Sequence, residues 1–388
     1  MDYTAGMPVD SRVIKAMDSY MDKIYGNPSS LHSYAQEAKK ALLESREKVA
    51  ELVNAEKKEE IFFTSGATES NNLAIRGVAT RNQERGKHLI TTSIEHMSVI
   101  NVCKFLMKQG FQVSFLPVDK YGLVDPESIR NELKDGTILV SVTCASGEIG
   151  TIEPIKEIGE IVHGKQAYLH VDATAAIGQV EIDVQDQGID LLTLSSNDLY
   201  GPKGVGGLYI KGGTRVEPIM FGGGQERGLR SGTENLPGIV GFGKAADLAK
   251  GEMKKESNRL CRLRDTFIHD ILKKIPYSFL NGHQSKRLPN NVAVRFSFVE
   301  GESMLLNLDM VGVAASSGSA CTAKTLEPSH VLRALGLRHE EAHGSLLFTL
   351  GRSNSLEEVK YVTGLLPDIV KRLRVMSPLT PKELKENV

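Results

Sequence analysis

Ile61-Phe62-Phe63-Thr64-Ser65-Gly66-Ala67-Thr68-Glu69-Ser70-Asn71 passes from a short apolar run through a small polar turn into a helix that begins near Thr68. The same alternation extends in both directions. Upstream, Ala35, Ala38, Leu42, Val49 and Leu52 recur at helical steps and predict a helix with one buried face. Downstream, apolar runs predict strands at 88–91, 113–116, 137–143, 167–171, 190–194 and 208–210. Helices are expected at 97–109, from Asp125-Pro126-Glu127 onward, and at 154–163. Asp125 is the cap there and Pro126 takes the first helical position. Strand and helix alternate for about 200 residues, which predicts an α/β fold with a mostly parallel, doubly wound sheet covered on both faces.

Beyond Leu236 the pattern changes. A long charged helical stretch holds Leu260, Leu263, Phe267 and Ile271, followed by a strand at 291–296 and a last helix near 357–372. This reads as a smaller α+β domain. The expected division puts residues 10–250 in a large domain and residues 1–9 plus 251–388 in a small one. The tail from Ser377 has two prolines and many charges and is expected to be loosely held.

The 388 residues carry 47 Lys+Arg against 48 Asp+Glu, a net charge of −1. That balance offers no field to draw nucleic acid or an anionic membrane. Four cysteines in a chain of this length exclude a disulfide scaffold, and without a CxxC pair a zinc ribbon and a thioredoxin-type site are excluded too. The opening Met1 to Asp10 lacks the basic and apolar segments of a signal peptide, and no uninterrupted apolar run reaches the ~18 residues of a membrane span. The expectation is a soluble, cytoplasmic protein with no nucleic-acid or membrane partner.

In a parallel sheet, ligands sit beyond the carboxyl ends of the strands. The loops after Phe63, Thr91, Thr143, Val171 and Leu194 are therefore the places to look. Free N–H groups in the Ser65–Asn71 loop would suit a phosphate, although a simply capped helix start reads the same way. Asp172 ends a buried strand; its carboxylate would pair with a cationic ring nitrogen, or cap the next turn. His96 would stack on a flat ligand, or merely begin a helix. Cys103, Cys144 and Cys261 read as packing residues. Cys321 stands in a run of small residues, Ala314 to Ala323, with no apolar anchor. An exposed thiol there suits sulfur transfer or metal ligation; the alternative is an incidental surface cysteine. His339-Glu340-Glu341-Ala342-His343 matches the zinc-hydrolase pattern, but no third ligand follows at the usual positions.

Six ordered stretches together resemble the cysteine desulfurases of the class V aminotransferases, which use pyridoxal 5′-phosphate (PLP). They are Phe63 to Asn71, Glu95-His96, Val171 to Thr174, Tyr200 to Gly204, Gly222 to Asn235, and Ser316 to Cys321. The last is similar to the longer loop of the type that feeds iron–sulfur assembly. The resemblance implies a homodimer with the site between subunits, acting on L-cysteine with an iron–sulfur scaffold protein as partner. By it, Thr68, Ser195 and the other subunit's copy of Thr233 would hold the cofactor phosphate. His96 would stack on the ring and Asp172 would keep the ring nitrogen protonated. Ala67, Ser146, Ala175, Ser196 and Asn197 fall at further cofactor-facing positions. Cys321 would carry sulfur as a persulfide, or ligate iron of a shared [2Fe-2S] cluster.

The departures from the family form a pattern. Family members carry His-Lys where this chain has Asn197-Asp198, and that lysine forms the internal Schiff base. A carboxylate cannot do so, and Lys203 belongs to a separate motif. An Asn-Asn pair becomes Ser146-Gly147, a Gln becomes Ala175, the substrate-carboxylate Arg becomes Leu347, and a Thr-Thr pair becomes Gly6-Met7. What remains would grip the phosphate, ring face and ring nitrogen; what is lost would serve the aldehyde, the ring hydroxyl and the substrate. The expectation is weak, non-covalent PLP binding, slow or absent desulfuration, and a role centred on Cys321. The competing readings are a weakly active desulfurase and a zinc hydrolase using His339 and His343.

Overall fold

The computed structural model describes residues 1–317 and 328–383. Seven strands form one sheet: β1 (Ile61–Thr64), β2 (His88–Thr92), β3 (Gln112–Leu116), β4 (Thr137–Thr143), β5 (Tyr168–Asp172), β6 (Leu191–Ser195) and β7 (Gly206–Ile210). Their order is β1-β7-β6-β5-β4-β2-β3. β3, β2, β4, β5 and β6 pair in parallel, and β7 runs antiparallel to both of its neighbours, β1 and β6. β1, β2, β4, β6 and β7 are buried at every position. Both faces are covered, which is why these strands read as continuous apolar runs rather than alternating ones. Edge strand β3 is partly exposed.

Register levels the strand ends where a ligand would sit. Thr143 of β4 lies opposite Asp172 of β5, and Asp172 lies opposite Thr193 of β6. β1 then turns sharply through Gly66 into the helix Ala67–Asn82. Gly66 has φ 148° and ψ 180°, a conformation open essentially to glycine alone. The start of β7 comes so close that a Cβ on Gly206 would meet the Gly66 Cα at 2.6 Å.

Three antiparallel strands, β8 (Ser278–Leu280), β9 (Asn291–Phe296) and β10 (Ser345–Thr349), form a second sheet in the order β10-β9-β8. The helix Leu236–Lys274 serves both halves of the molecule. Its first part buries Ile239, Phe242 and Ala245 in the core of the large sheet; its second buries Leu260, Leu263, Phe267 and Ile271 against β9 and β10. Asn235 caps its start by accepting from the Gly238 N–H at 3.2 Å. The chain's first residues lie along β10: Asp2 bridges to Thr349, and the Thr4 N–H donates to the Thr349 hydroxyl at 2.9 Å.

Sequence periodicity alone does not mark the helix Ser11–Met17, the helix Gly301–Asp309, β8 or β10. The tail expected to be loose is in part tied down, because Thr380 is buried. Among the described residues, no helix is long and apolar enough to cross a membrane.

Candidate functional site

A cavity of about 350 Å³ opens beyond the level ends of β4 and β5. Of the residues singled out in the sequence, Ala67, His96, Ser146, Asp172, Ala175 and Asp198 line it. Thr68, Ser195, Ser196, Asn197 and Thr233 do not; Thr68 and Thr233 are not buried on this chain, and Ser195 and Ser196 are buried at and just after the end of β6. Cys321 lies outside the described residues. Leu347 is buried and also lines the cavity.

Asp172 is held by three donors. Asn71 Nδ2 reaches Oδ2 at 2.7 Å, while the Thr174 N–H and hydroxyl reach Oδ1 at 3.0 and 2.5 Å. The Thr174 bonds are the turn-capping role open to any Asp at a strand end. The Asn71 bond does more, because the same amide nitrogen donates to Ser98 Oγ at 2.8 Å. Ser98 Oγ in turn meets His96 Nδ1 at 2.8 Å, and Nδ1 also accepts from the Ser98 N–H at 3.2 Å. His96 Nδ1 is thus an acceptor, and in the neutral ring Nε2 carries the proton. One chain of bonds from the helix Ala67–Asn82 sets both the carboxylate and the imidazole.

Asp198 sits in the one-turn helix Asn197–Leu199 that follows β6. Burial pushes its carboxyl up to about 6; the nearby charge of Asp172 adds to this and a hydrogen bond from Ser195 opposes it. Beside it are carboxyls to which sequence reasoning gives no role. Glu95 is fully buried, and its Oε1 accepts from the Thr92 hydroxyl at 2.6 Å and the Thr143 N–H at 2.9 Å. Burial pushes Glu95 up to about 8, with Asp172 adding to the rise, and burial pushes Glu148 up to about 8 as well. His330 also lines the cavity, and its Nε2 donates to the Glu95 carbonyl at 2.9 Å. Glu95 stands next to His96 in a family motif, so it is within reach of the sequence. Glu148 and His330 carry no local signal, because only the packing of distant segments brings them to the wall.

At the other end, Ala67 opens the Ala67–Asn82 helix behind a glycine cap that offers no side-chain acceptor. Helix-start N–H groups left without such a partner suit an anion. Cys103 and Cys144 are buried, and burial pushes both thiols up to about 12. They are packing residues in chemistry as well as position. His339 and His343 occupy the short helix His339–His343, and among the described residues no group of three or more His, Cys, Asp or Glu could hold a metal ion.

The family model described as Aminotransferase class-V matches residues 1–362. The chain belongs to the aminotransferase class-V family. Among its class-V relatives, "Cysteine desulfurase IscS 1" of Archaeoglobus fulgidus is 60% identical over 97% of this chain and 98% of that one. "Cysteine desulfurase IscS" of Methanosarcina thermophila is 52% identical over 99% of this chain and 95% of its own length. A solved structure titled "NIFS-LIKE PROTEIN" superposes with a TM-score of 0.90 at 35% identity, covering 96% of this chain and 99% of that one. The mixed α/β fold with its mostly parallel sheet matches that of its structural neighbours.

Class-V membership implies PLP, and the residues present match it unevenly. The helix start at Ala67 suits its phosphate, His96 its ring face, and the Asp172 carboxylate its ring nitrogen. Among the described lining residues there is no Lys or Arg, and Asp198 presents a carboxylate. The described lining residues suit a phosphorylated pyridine and include no amine for its aldehyde.

Proposed function

We propose that this chain is a cysteine desulfurase-family protein of iron–sulfur cluster assembly whose own PLP chemistry is impaired. Its remaining task is to handle sulfur, or to ligate a [2Fe-2S] cluster, through Cys321 together with a scaffold protein. The single observation that carries the reading is Asp198 in the cavity wall beside Asp172, with no lysine or arginine among the described lining residues. When bound, PLP supplies an electron sink. Ala67, Thr68 and Ser195, with Thr233 from the second subunit of a homodimer, would hold its phosphate. His96 would cover the ring and Asp172 would keep the ring nitrogen protonated. No amine among the described lining residues attaches the cofactor, and Leu347 gives the carboxylate of L-cysteine no cation. One thiolate cannot hold a cluster alone, since a cluster takes four ligands, so a partner must supply the others. The protein is assigned to the cytoplasm on the same reading.

An absorption spectrum and a sulfide assay test the proposal. The purified chain should show no yellow band and release little sulfide from L-cysteine. Borohydride reduction that fixed pyridoxyl to this chain, with brisk sulfide release, would overturn it. Co-expression with a scaffold protein tests the second half: Cys321→Ser should change the colour or lifetime of the cluster. An unchanged cluster would remove Cys321 from the account.

A further inference from the structure

Resting on that reading of the cavity, we propose that the pocket takes a phosphorylated pyridine bearing a primary ammonium, of the pyridoxamine 5′-phosphate class, in preference to the aldehyde. The wall is built for a donor. Asp2, Asp172 and Asp198 line it, together with Glu95 and Glu148, which burial keeps largely protonated at neutral pH, and the described lining includes no Lys or Arg. The lining residues Gln179 and Asn290 each carry a buried amide oxygen without a donor. His330, one of two basic side chains among the described lining residues, already spends its Nε2 proton on the Glu95 carbonyl. The other, His96, turns Nδ1 to Ser98.

Against this wall the three forms of the ligand differ at one carbon. An aldehyde brings an acceptor and no donor hydrogen, so at Asp198 its oxygen would face a carboxylate oxygen with nothing between them. A hydroxymethyl brings one hydrogen. An aminomethyl group brings three hydrogens and a positive charge, and charge-assisted bonds are roughly twice as strong as neutral ones. With the phosphate at the Ala67 helix start and the ring nitrogen at Asp172, Asp198 is the carboxylate left for the arm. An ammonium there also relieves the repulsion between Asp198 and Asp172. The substitution that removes tethering thus changes which form of the ligand is held.

The test is the affinity of the purified full-length protein for three probes: pyridoxamine, pyridoxine and pyridoxal 5′-phosphates, measured by titration calorimetry. Pyridoxamine 5′-phosphate should bind at least about tenfold tighter than pyridoxine 5′-phosphate, as one charge-assisted bond requires. Asp198→Asn and Asp198→Ser should each bring that ratio to within about threefold, melting curves without ligand showing that they fold. Asp198→Lys should reverse the order and favour the aldehyde. If none of the three phosphates binds, the cofactor-pocket reading falls and this inference with it. If all three bind alike, this inference alone is wrong. If the preference survives in Asp198→Asn, Asp198 is not the residue that makes it.

Discussion

Arg46 grips Glu226 through two bonds of 2.7 Å, with both side chains buried. Glu226 also accepts from the Phe63 N–H at 3.0 Å, and Arg46 donates to the Ile61 carbonyl. The pair therefore fastens the Gly222–Asn235 motif to β1. It holds Glu226 at φ 45° and Arg227 at φ 55°, left-handed values that non-glycine residues seldom adopt. Removing one partner leaves a buried charge unpaired, which costs about 3–5 kcal/mol. Arg46→Met and Glu226→Leu should each lower the melting temperature by several degrees, and the double variant should recover part of the loss. Single variants that melt with the parent would show that the pair is not a fastening.

Gly66→Ala isolates backbone strain from crowding. A Cβ at Gly66 would meet nothing within 4 Å, so any loss comes from φ 148° itself. The expected cost is about 1–3 kcal/mol. A calorimetric melt measures it, and the turn that presents Ala67 to the cavity should bind pyridine phosphates more weakly. A neutral substitution would mean that the turn relaxes freely.

Glu95 makes stability fall as pH rises. Its ordinary value is 4.5 and burial pushes it to about 8, with Asp172 and Glu153 the charged neighbours. The folded value lies above the unfolded one. The contribution is therefore full below about pH 4, declines as the unfolded carboxyl ionises, and is lost by about pH 8. Glu95→Gln keeps the acceptor for Thr92 and Thr143 and removes the titration. Melting temperatures between pH 5 and 8 should fall less steeply in the variant, by the equivalent of about a few kcal/mol at most. Parallel profiles would rule the assignment out.

Leu347 faces the cavity from β10, so an arginine there would gain a substrate carboxylate as partner. On an Asp198→Lys background, Leu347→Arg should lower KM for L-cysteine at least about tenfold, as about 1.5–3 kcal/mol of charge-assisted bonding implies. Steady-state sulfide release measures it. An unchanged KM would place the substrate carboxylate elsewhere.

Thiol labelling separates the cysteines. Burial and thiols pushed to about 12 should keep Cys103 and Cys144 unmodified by iodoacetamide in the native protein at about pH 8. Mass spectrometry of tryptic peptides reads the result; modification of Cys144 within minutes would contradict the packing described here.

Much of the fold is legible in residue order. The buried strands show as apolar runs because parallel strands are covered on both faces, and the capped helix at Asp125 announces itself locally. The motif residues Asp172, at a strand end, and His96, at the start of the helix that follows a strand, point to the site, and both line the cavity. Asn71 lies in a motif without any local sign of its role; its bonds to Asp172 and Ser98 depend on how a helix face meets a strand end.

The linear order of residues determined the alternation of strand and helix, the family motifs, and the presence of an aspartate at position 198. These are properties of side-chain type and spacing, which act over a few residues. Tertiary structure alone decided that Asp2, Glu95, Glu148, Asp172 and Asp198 share one wall, that Leu347 from the second sheet joins them, and that no Lys or Arg among the described lining residues answers them. The reason is physical: charge interactions depend on distance through space and on burial, and neither is written in the separation of residues along the chain.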